Sequence, residues 1–300
     1  MGYPPAHALL TLALLVPSVF LGPASLRAIP DAVAAEKIVG TLTVKDTLTL
    51  SGQPARIEAT LARTGLLGMA QGLGGEQLEL LLGGKSVARA MTGGDGRAFL
   101  EYTPKVRGNH EVTVKLVPNP RVTSPEAKAM LGAWERRRPI LLVDVAAVMQ
   151  SEKTSPLPLP SAPIQLGERA DPEPAPNAAD ELKRLSQFFY NVIYLSWSPK
   201  EAASPLGNTT DMREWLTRHK FPSGLLMTVR PGEQVLGAKI DQLRADGWTN
   251  VKAGIGKSRA FADVLVTHRV DVVIVPVPDK GELPKKAKAV KEWKEIRKKL

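Results

Sequence analysis

The chain predicts two folded units in series, an all-β sandwich followed by an α/β unit built on a parallel sheet with helices on both faces. Three observations carry this. Residues 36–120 are a succession of short runs, mostly alternating apolar and polar with period two, separated by Gly-rich or polar turns. From residue 139 onward the rhythm changes to apolar runs that alternate with helical segments, the βα pattern of a parallel sheet. A length of 300 residues has room for about two domains, with 121–138 lying between them as a connecting segment.

Residues 1–35 read as an export signal. The stretch ALLTLALLVPSVFLG matches a signal core in length and, with Pro17 inside it, is too short for a membrane span. Ala32-Val33-Ala34 supplies the small-x-small pattern at which a signal peptidase cuts. The segment before the apolar core carries no Lys or Arg, which departs from the usual signal and leaves an uncleaved membrane anchor as the alternative. The expected location is the periplasm or cell envelope.

The runs IVGTLTVKDTLTL, ARIEATLAR, QLELLLGG, SVARAMT, RAFLEYT and HEVTVKLV are the expected strands of the first unit. Between two of them, Thr92-Gly93-Gly94-Asp95-Gly96 is a turn, because glycine supplies the positive φ that tight hairpins need. The phrase GGDGRAFLEYTPKVRGNHEVTVKL resembles bacterial immunoglobulin-like domains, and that resemblance implies a structural or docking role. His110 stands on the last of these strands with no other His, Cys or carboxylate cluster near it, so it reads as a packed histidine and not a metal ligand.

In the second unit the expected strands are 140–144, 191–196, 224–228, 250–255 and 271–275, and the expected helices 179–189, 209–219, 235–246, 259–268 and 284–299. The interval 151–178 holds Pro156, Pro158, Pro160, Pro163, Pro172, Pro174 and Pro176, so it is read as an extended insert near the end of the first strand. In open parallel sheets the ligand crevice lies beyond the carboxyl ends of the strands, where Asp144, Ser196 and the loop before Ser258 fall.

The order of PILLVDVAAVMQ, NVIYLSWSP, LGAKIDQL and GIGKSRAFAD resembles the haloacid-dehalogenase-type phosphohydrolases. The phrases YLSWSP and REWLTRHKFPSGLLM are most similar to the actin-patch-type and lipin-like phosphatidate phosphatases. The resemblance covers about residues 139–280. It implies a Rossmann-like domain in which Asp144 is the would-be nucleophile and Ser196, with Ser198 as a weaker candidate, and Lys239 hold phosphate. It also implies two losses. The acid/base position is Ala146, which has no proton to give, followed by Val148 where a small polar residue is usual. The acidic positions that complete a Mg²⁺ site correspond to Lys257 and, most simply, Phe261, while Asp263 would restore one acid only in a shifted register. An ammonium at 257 repels a divalent ion, and the sequence predicts a salt bridge from Lys257 to Asp144.

Composition narrows the possibilities further. Without cysteine there is no disulfide, thiolate metal site or cysteine nucleophile. The net charge of +10 is concentrated in residues 280–300, with nine Lys/Arg against three Glu. There Ala287, Val290, Trp293 and Ile296 recur at three-residue steps, which predicts a final helix packed on the sheet, with an anionic membrane surface as a further candidate partner. Nucleic acid is not expected, since no aromatic interleaving accompanies the basic residues. The resulting expectation is an exported, non-catalytic protein with no cofactor that binds a phosphorylated or anionic ligand or a protein partner. A slow Asp144-dependent phosphohydrolase, which would need Mg²⁺, and a purely structural envelope protein are the alternatives. Composition and spacing fix no oligomeric state.

Overall fold

The computed structural model describes residues 36–65, 68–150, 171–199, 208–278 and 282–300. The expected export segment 1–35 and most of the Pro-rich insert, 151–170, lie outside the described residues.

The first unit contains β1 (Ile38–Val39), β2 (Thr41–Val44), β3 (Thr47–Leu50), β4 (Ala55–Thr64), β5 (Ala70–Gly72), β6 (Gln77–Leu82), β7 (Lys85–Met91), β8 (Arg97–Tyr102), β9 (Gly108–Leu116), β10 (Val122–Thr123) and β11 (Ala127–Trp134). One sheet has the order β3-β11-β9-β6-β7, and the other centres on β4, flanked by β2, β5 and β8. Period-two alternation turns Ala55, Ile57, Ala59 and Leu61 of β4 inward, where they meet Leu78, Leu80, Val112 and Val114 of the opposite sheet. Each large side chain so buried contributes about 1.5–3 kcal/mol.

The expected turn is present, and Gly96 is required in it. Its φ is +76°, and a Cβ there would lie 2.2 Å from the Leu61 carbonyl oxygen. Beside it, the buried Thr92 hydroxyl donates to the Leu73 carbonyl at 2.7 Å and accepts from the Glu76 N–H at 2.9 Å. His110 is held by a 2.8 Å hydrogen bond between Nε2 and the Val106 carbonyl.

The stretch expected to be a connector, 121–138, instead carries β10 and β11. β11 pairs antiparallel with β9 and parallel with β3, so the sandwich extends to Trp134. Its residues are buried on both faces from Ala129 to Trp134, because one face closes the sandwich while Met130 and Trp134 join the core of the second unit.

The second unit contains β12 (Ile140–Asp144), α1 (Val145–Val148), α2 (Ala178–Phe188), β13 (Asn191–Ser196), α3 (Thr209–Arg218), β14 (Leu225–Thr228), α4 (Glu233–Ala245), β15 (Val251–Gly256), α5 (Arg259–Thr267), β16 (Asp271–Ile274) and β17 (Lys288–Ala289), then a 3₁₀ helix over Trp293–Lys298. The six strands are parallel in the order β14-β13-β12-β15-β16-β17, so the winding direction reverses between β12 and β15. Leu141 and Val143 face a layer built from α2, α3 and the 3₁₀ helix, while Ile140 and Leu142 face α4 and α5. Covering on both faces explains the unbroken apolar run of β12.

The expected C-terminal helix 284–299 is replaced by β17 and the 3₁₀ turn. Steps of three residues suit a 3₁₀ helix, whose side chains at i and i+3 eclipse. Trp293 and Ile296 are thereby buried, and Trp293 Nε1 donates to the Ala147 carbonyl at 3.2 Å. The apolar stripe therefore serves the core, and only charge remains for an outside surface.

Residues Lys37–Leu300 form one compact unit, with Asp46 stapling sandwich to parallel sheet. The Asp46 carboxylate, 1% exposed, accepts from the N–H groups of Met130 at 2.8 Å and Leu226 at 2.6 Å, and pairs with Arg213 of α3 at 2.6 Å. Trp134 adds an edge-to-face contact with Trp248 at 6.4 Å and donates from Nε1 to Asn109 at 2.7 Å.

Candidate functional site

A crevice of about 580 Å³ opens where four neighbouring strands end. Its walls are residues 144–146 after β12, 196–199 after β13, 228–231 after β14 and 257–258 after β15, with Asn208, Thr209 and Met212 of the α3 entry closing one side. The winding reverses here, so successive loops diverge and leave a gap.

Asp144 lies at its base, 3% exposed. One carboxylate oxygen caps α1, accepting the Ala146 N–H at 3.0 Å. Burial pushes its pKa up from 3.8 to about 7, against the opposing pull of the Ala146 and Lys257 N–H groups and the Lys257 ammonium. Lys257, half-buried, is shifted in the complementary sense. Burial lowers its pKa while the charge of Asp144 acts to raise it. The two groups are electrostatically coupled, but among the described residues Lys257 makes no direct ion pair, so the expected salt bridge is not formed.

The loop carrying Lys257 is set by glycines. A Cβ at Gly256 would lie 2.2 Å from Phe261 Cδ1, and one at Gly254 2.0 Å from Leu265 Cδ2, so both absences let α5 pack directly on β15. Ser258 then caps α5, its hydroxyl accepting the Phe261 N–H at 3.1 Å. The N-terminal ends of α3 and α5 consequently reach the crevice through Asn208 and Ser258, and the positive end of each helix dipole favours negative charge.

The structure brings together Asp144, Ala146, Ser196, Ser198 and Lys257. Lys239 does not join them. It lies in the middle of α4, hydrogen-bonds Gln242 at 3.2 Å, and lines a separate recess of about 400 Å³ with Asp46, Arg136 and Trp248. Phe261 also lies elsewhere, fully buried with its ring 6.1 Å from that of Trp197. Asp263 points along α5, where it pairs with Arg259 at 3.4 Å, and restores no acid to the crevice. Val148 is core.

Two contributors escaped the sequence reading. Arg230, directly after β14, supplies a second cation to the crevice wall, and Asn208 with Thr209 supplies a capped helix entry. The position of Arg230 just past a parallel strand was the available signal for it.

These residues do not fit Mg²⁺. A hard divalent ion needs several oxygen ligands, whereas among the described residues Asp144 is the crevice's one carboxylate and a lysine lines the same wall. Among the described residues no group of three or more His, Asp or Glu side chains is placed to hold a metal. No helix among them is long and apolar enough to cross a membrane, which says nothing of β-barrels.

No known family model matches the chain, and no curated protein matches it in sequence. Similar solved structures include the CARDB domain of a Pyrococcus furiosus protein, 14% identical, covering 31% of this chain and 93% of its own with a TM-score of 0.24. The fibronectin(III)-like modules of Clostridium thermocellum CbhA are 13% identical over 31% of this chain and 94% of their own, with a TM-score of 0.22. The D00-D0 domain of intimin is 17% identical over 31% of this chain and 46% of its own, with a TM-score of 0.23.

Proposed function

We propose that the chain is an exported, non-hydrolytic relative of the haloacid-dehalogenase-type phosphatases that binds a small anionic ligand, of phosphate or sulfate type, in the crevice beyond β12. One observation carries the reading. The crevice pairs a buried carboxyl, held about half protonated near pH 7, with a lysine where a metal carboxylate would be needed. With Asp144 uncharged, Lys257, Arg230 and the N-terminal ends of α3 and α5 leave an excess of positive potential. Ser196 adds a hydroxyl at the same mouth.

The same groups argue against turnover. Ala146 cannot protonate a leaving oxygen, a loss of roughly 10²–10⁴-fold in rate. An Asp144 only half ionised near pH 7 is a weakened nucleophile, and without a metal the transferring phosphoryl charge lacks its main compensation.

Two assays on the purified protein test the reading. Calorimetric titration with inorganic phosphate gives saturable binding that weakens on Lys257→Ala. With Mg²⁺ and a generic phosphomonoester, hydrolysis stays at the level of an Asp144→Asn control. Asp144-dependent turnover would establish the slow-hydrolase alternative instead. Absence of binding by any phosphate-type anion would leave the architectural reading, in which the sandwich and sheet only hold surfaces in place.

A further inference from the structure

We propose that Lys257 forms a reversible imine with the carbonyl carbon of a small anionic aldehyde or ketone bound in this crevice, with Asp144 as the proton donor and acceptor. This rests on the anion-binding reading and extends it by naming the second functional group of the ligand.

Imine formation needs an amine and a nearby proton donor, and this crevice assembles both. Lys257 is half-buried, and among the described residues its ammonium has neither hydrogen bond nor ion pair to hold the proton in place. Asp144 lines the same crevice, buried and electrostatically coupled to Lys257, with one oxygen already tied to the Ala146 N–H. Burial acts on the two in opposite directions, easing loss of the Lys257 proton while holding the Asp144 carboxyl partly protonated near neutrality. Among the described residues the other charged group of the wall is Arg230, which serves the ligand's anionic end. A volume of about 580 Å³ admits a compound of several carbons with such a group.

The step balances without any outside redox partner. The neutral Nζ of Lys257 attacks the carbonyl carbon, forming a C–N bond as the C=O π pair moves to oxygen. Proton transfer from nitrogen to that oxygen gives a carbinolamine. Asp144 then donates its proton to the hydroxyl, which leaves as water while the nitrogen lone pair forms the C=N⁺ bond. The reverse sequence, with the Asp144 carboxylate taking the proton from an incoming water, releases the ligand.

Borohydride trapping on the intact protein tests this. Glyceraldehyde 3-phosphate is the probe, glyceraldehyde its uncharged counterpart, and peptide mass mapping reads the labelled lysines. The expected result is reduction-dependent label on Lys257 at a rate at least about fivefold above that of exposed Lys252, with sulfate protecting Lys257 alone. Label at 257 disappears in Lys257→Arg and forms more slowly in Asp144→Asn. If phosphate binds calorimetrically in wild-type protein but Lys257 labels no faster than Lys252, the imine is overturned and the anion site stands. If Lys257 labels rapidly and equally with both probes, without protection by sulfate, the carbonyl chemistry stands and its anionic selectivity is overturned. The wild-type mapping needs no variant, so a substitution that fails to fold does not remove the test.

Discussion

Replacing Asp144 by Asn should change the pH dependence of stability more than stability itself. The carboxyl is buried and its pKa rises from 3.8 to about 7 on folding. A raised carboxyl means that the folded state prefers the proton. The contribution is fully present below pH 3.8, is lost as pH rises toward 7, and changes no further above that. At about 1.4 kcal/mol per pKa unit the whole loss is on the order of 4 kcal/mol. Roughly 2.5 kcal/mol of it falls between pH 5 and pH 8, because the unfolded aspartate is already largely ionised at pH 5. Asn keeps an oxygen to accept the Ala146 N–H but carries no titrating proton, so this loss vanishes in the variant. Urea denaturation of both proteins at pH 5 and pH 8 reads the difference directly. The variant gains about 2.5 kcal/mol on the wild type over that interval. An equal difference at the two pH values would show that Asp144 titrates normally and would refute the buried, neutral carboxyl.

Other outcomes follow from the same structure. Asp46→Ala strands Arg213 and leaves two N–H groups, of Met130 and Leu226, without their acceptor; the urea midpoint should fall by an amount corresponding to about 3–5 kcal/mol. Ala146→Asp combined with Lys257→Asp places two further carboxylates beside Asp144 and should create Mg²⁺ binding measurable by calorimetry, with none expected of the wild type. Because Trp293 and Ile296 are buried and Lys285, Lys286, Lys294 and Lys298 are exposed, any retention by anionic vesicles should be purely electrostatic and should disappear between low and high salt. Salt-resistant retention would mean that the apolar stripe leaves the core.

Much of the fold was legible because it obeys one period at a time. The alternation of β4 and the solid apolar run of β12 each report how many faces are covered. β11 was missed for the same reason in reverse. Its outer face docks on the parallel sheet, so Met130, Gly132 and Trp134 erase the alternation that marks a half-exposed strand. The C-terminal turn misled because lysines with apolar residues at three-residue steps suit an α-helix almost as well as the 3₁₀ helix found.

The site divided along similar lines. Residues adjoining strand ends (Asp144, Ser196, Lys257) were placed by chain order alone, since parallel strands bring their carboxyl ends together. Lys239 failed because it sits six residues beyond the start of α4. At 1.5 Å per residue that is about 9 Å along the helix from the end nearest the crevice. Phe261 failed because the close packing allowed by Gly256 turns position 261 into the core, a contact no spacing rule reveals.

The most direct test of the central claim is a calorimetric titration with sulfate, whose charge is constant from pH 5 to pH 8. One saturable site is expected, tightening as pH falls through about 7, where Asp144 gains its proton, and lost in Lys257→Ala. Binding that is absent, or that is unchanged by both pH and the substitution, would contradict the claim.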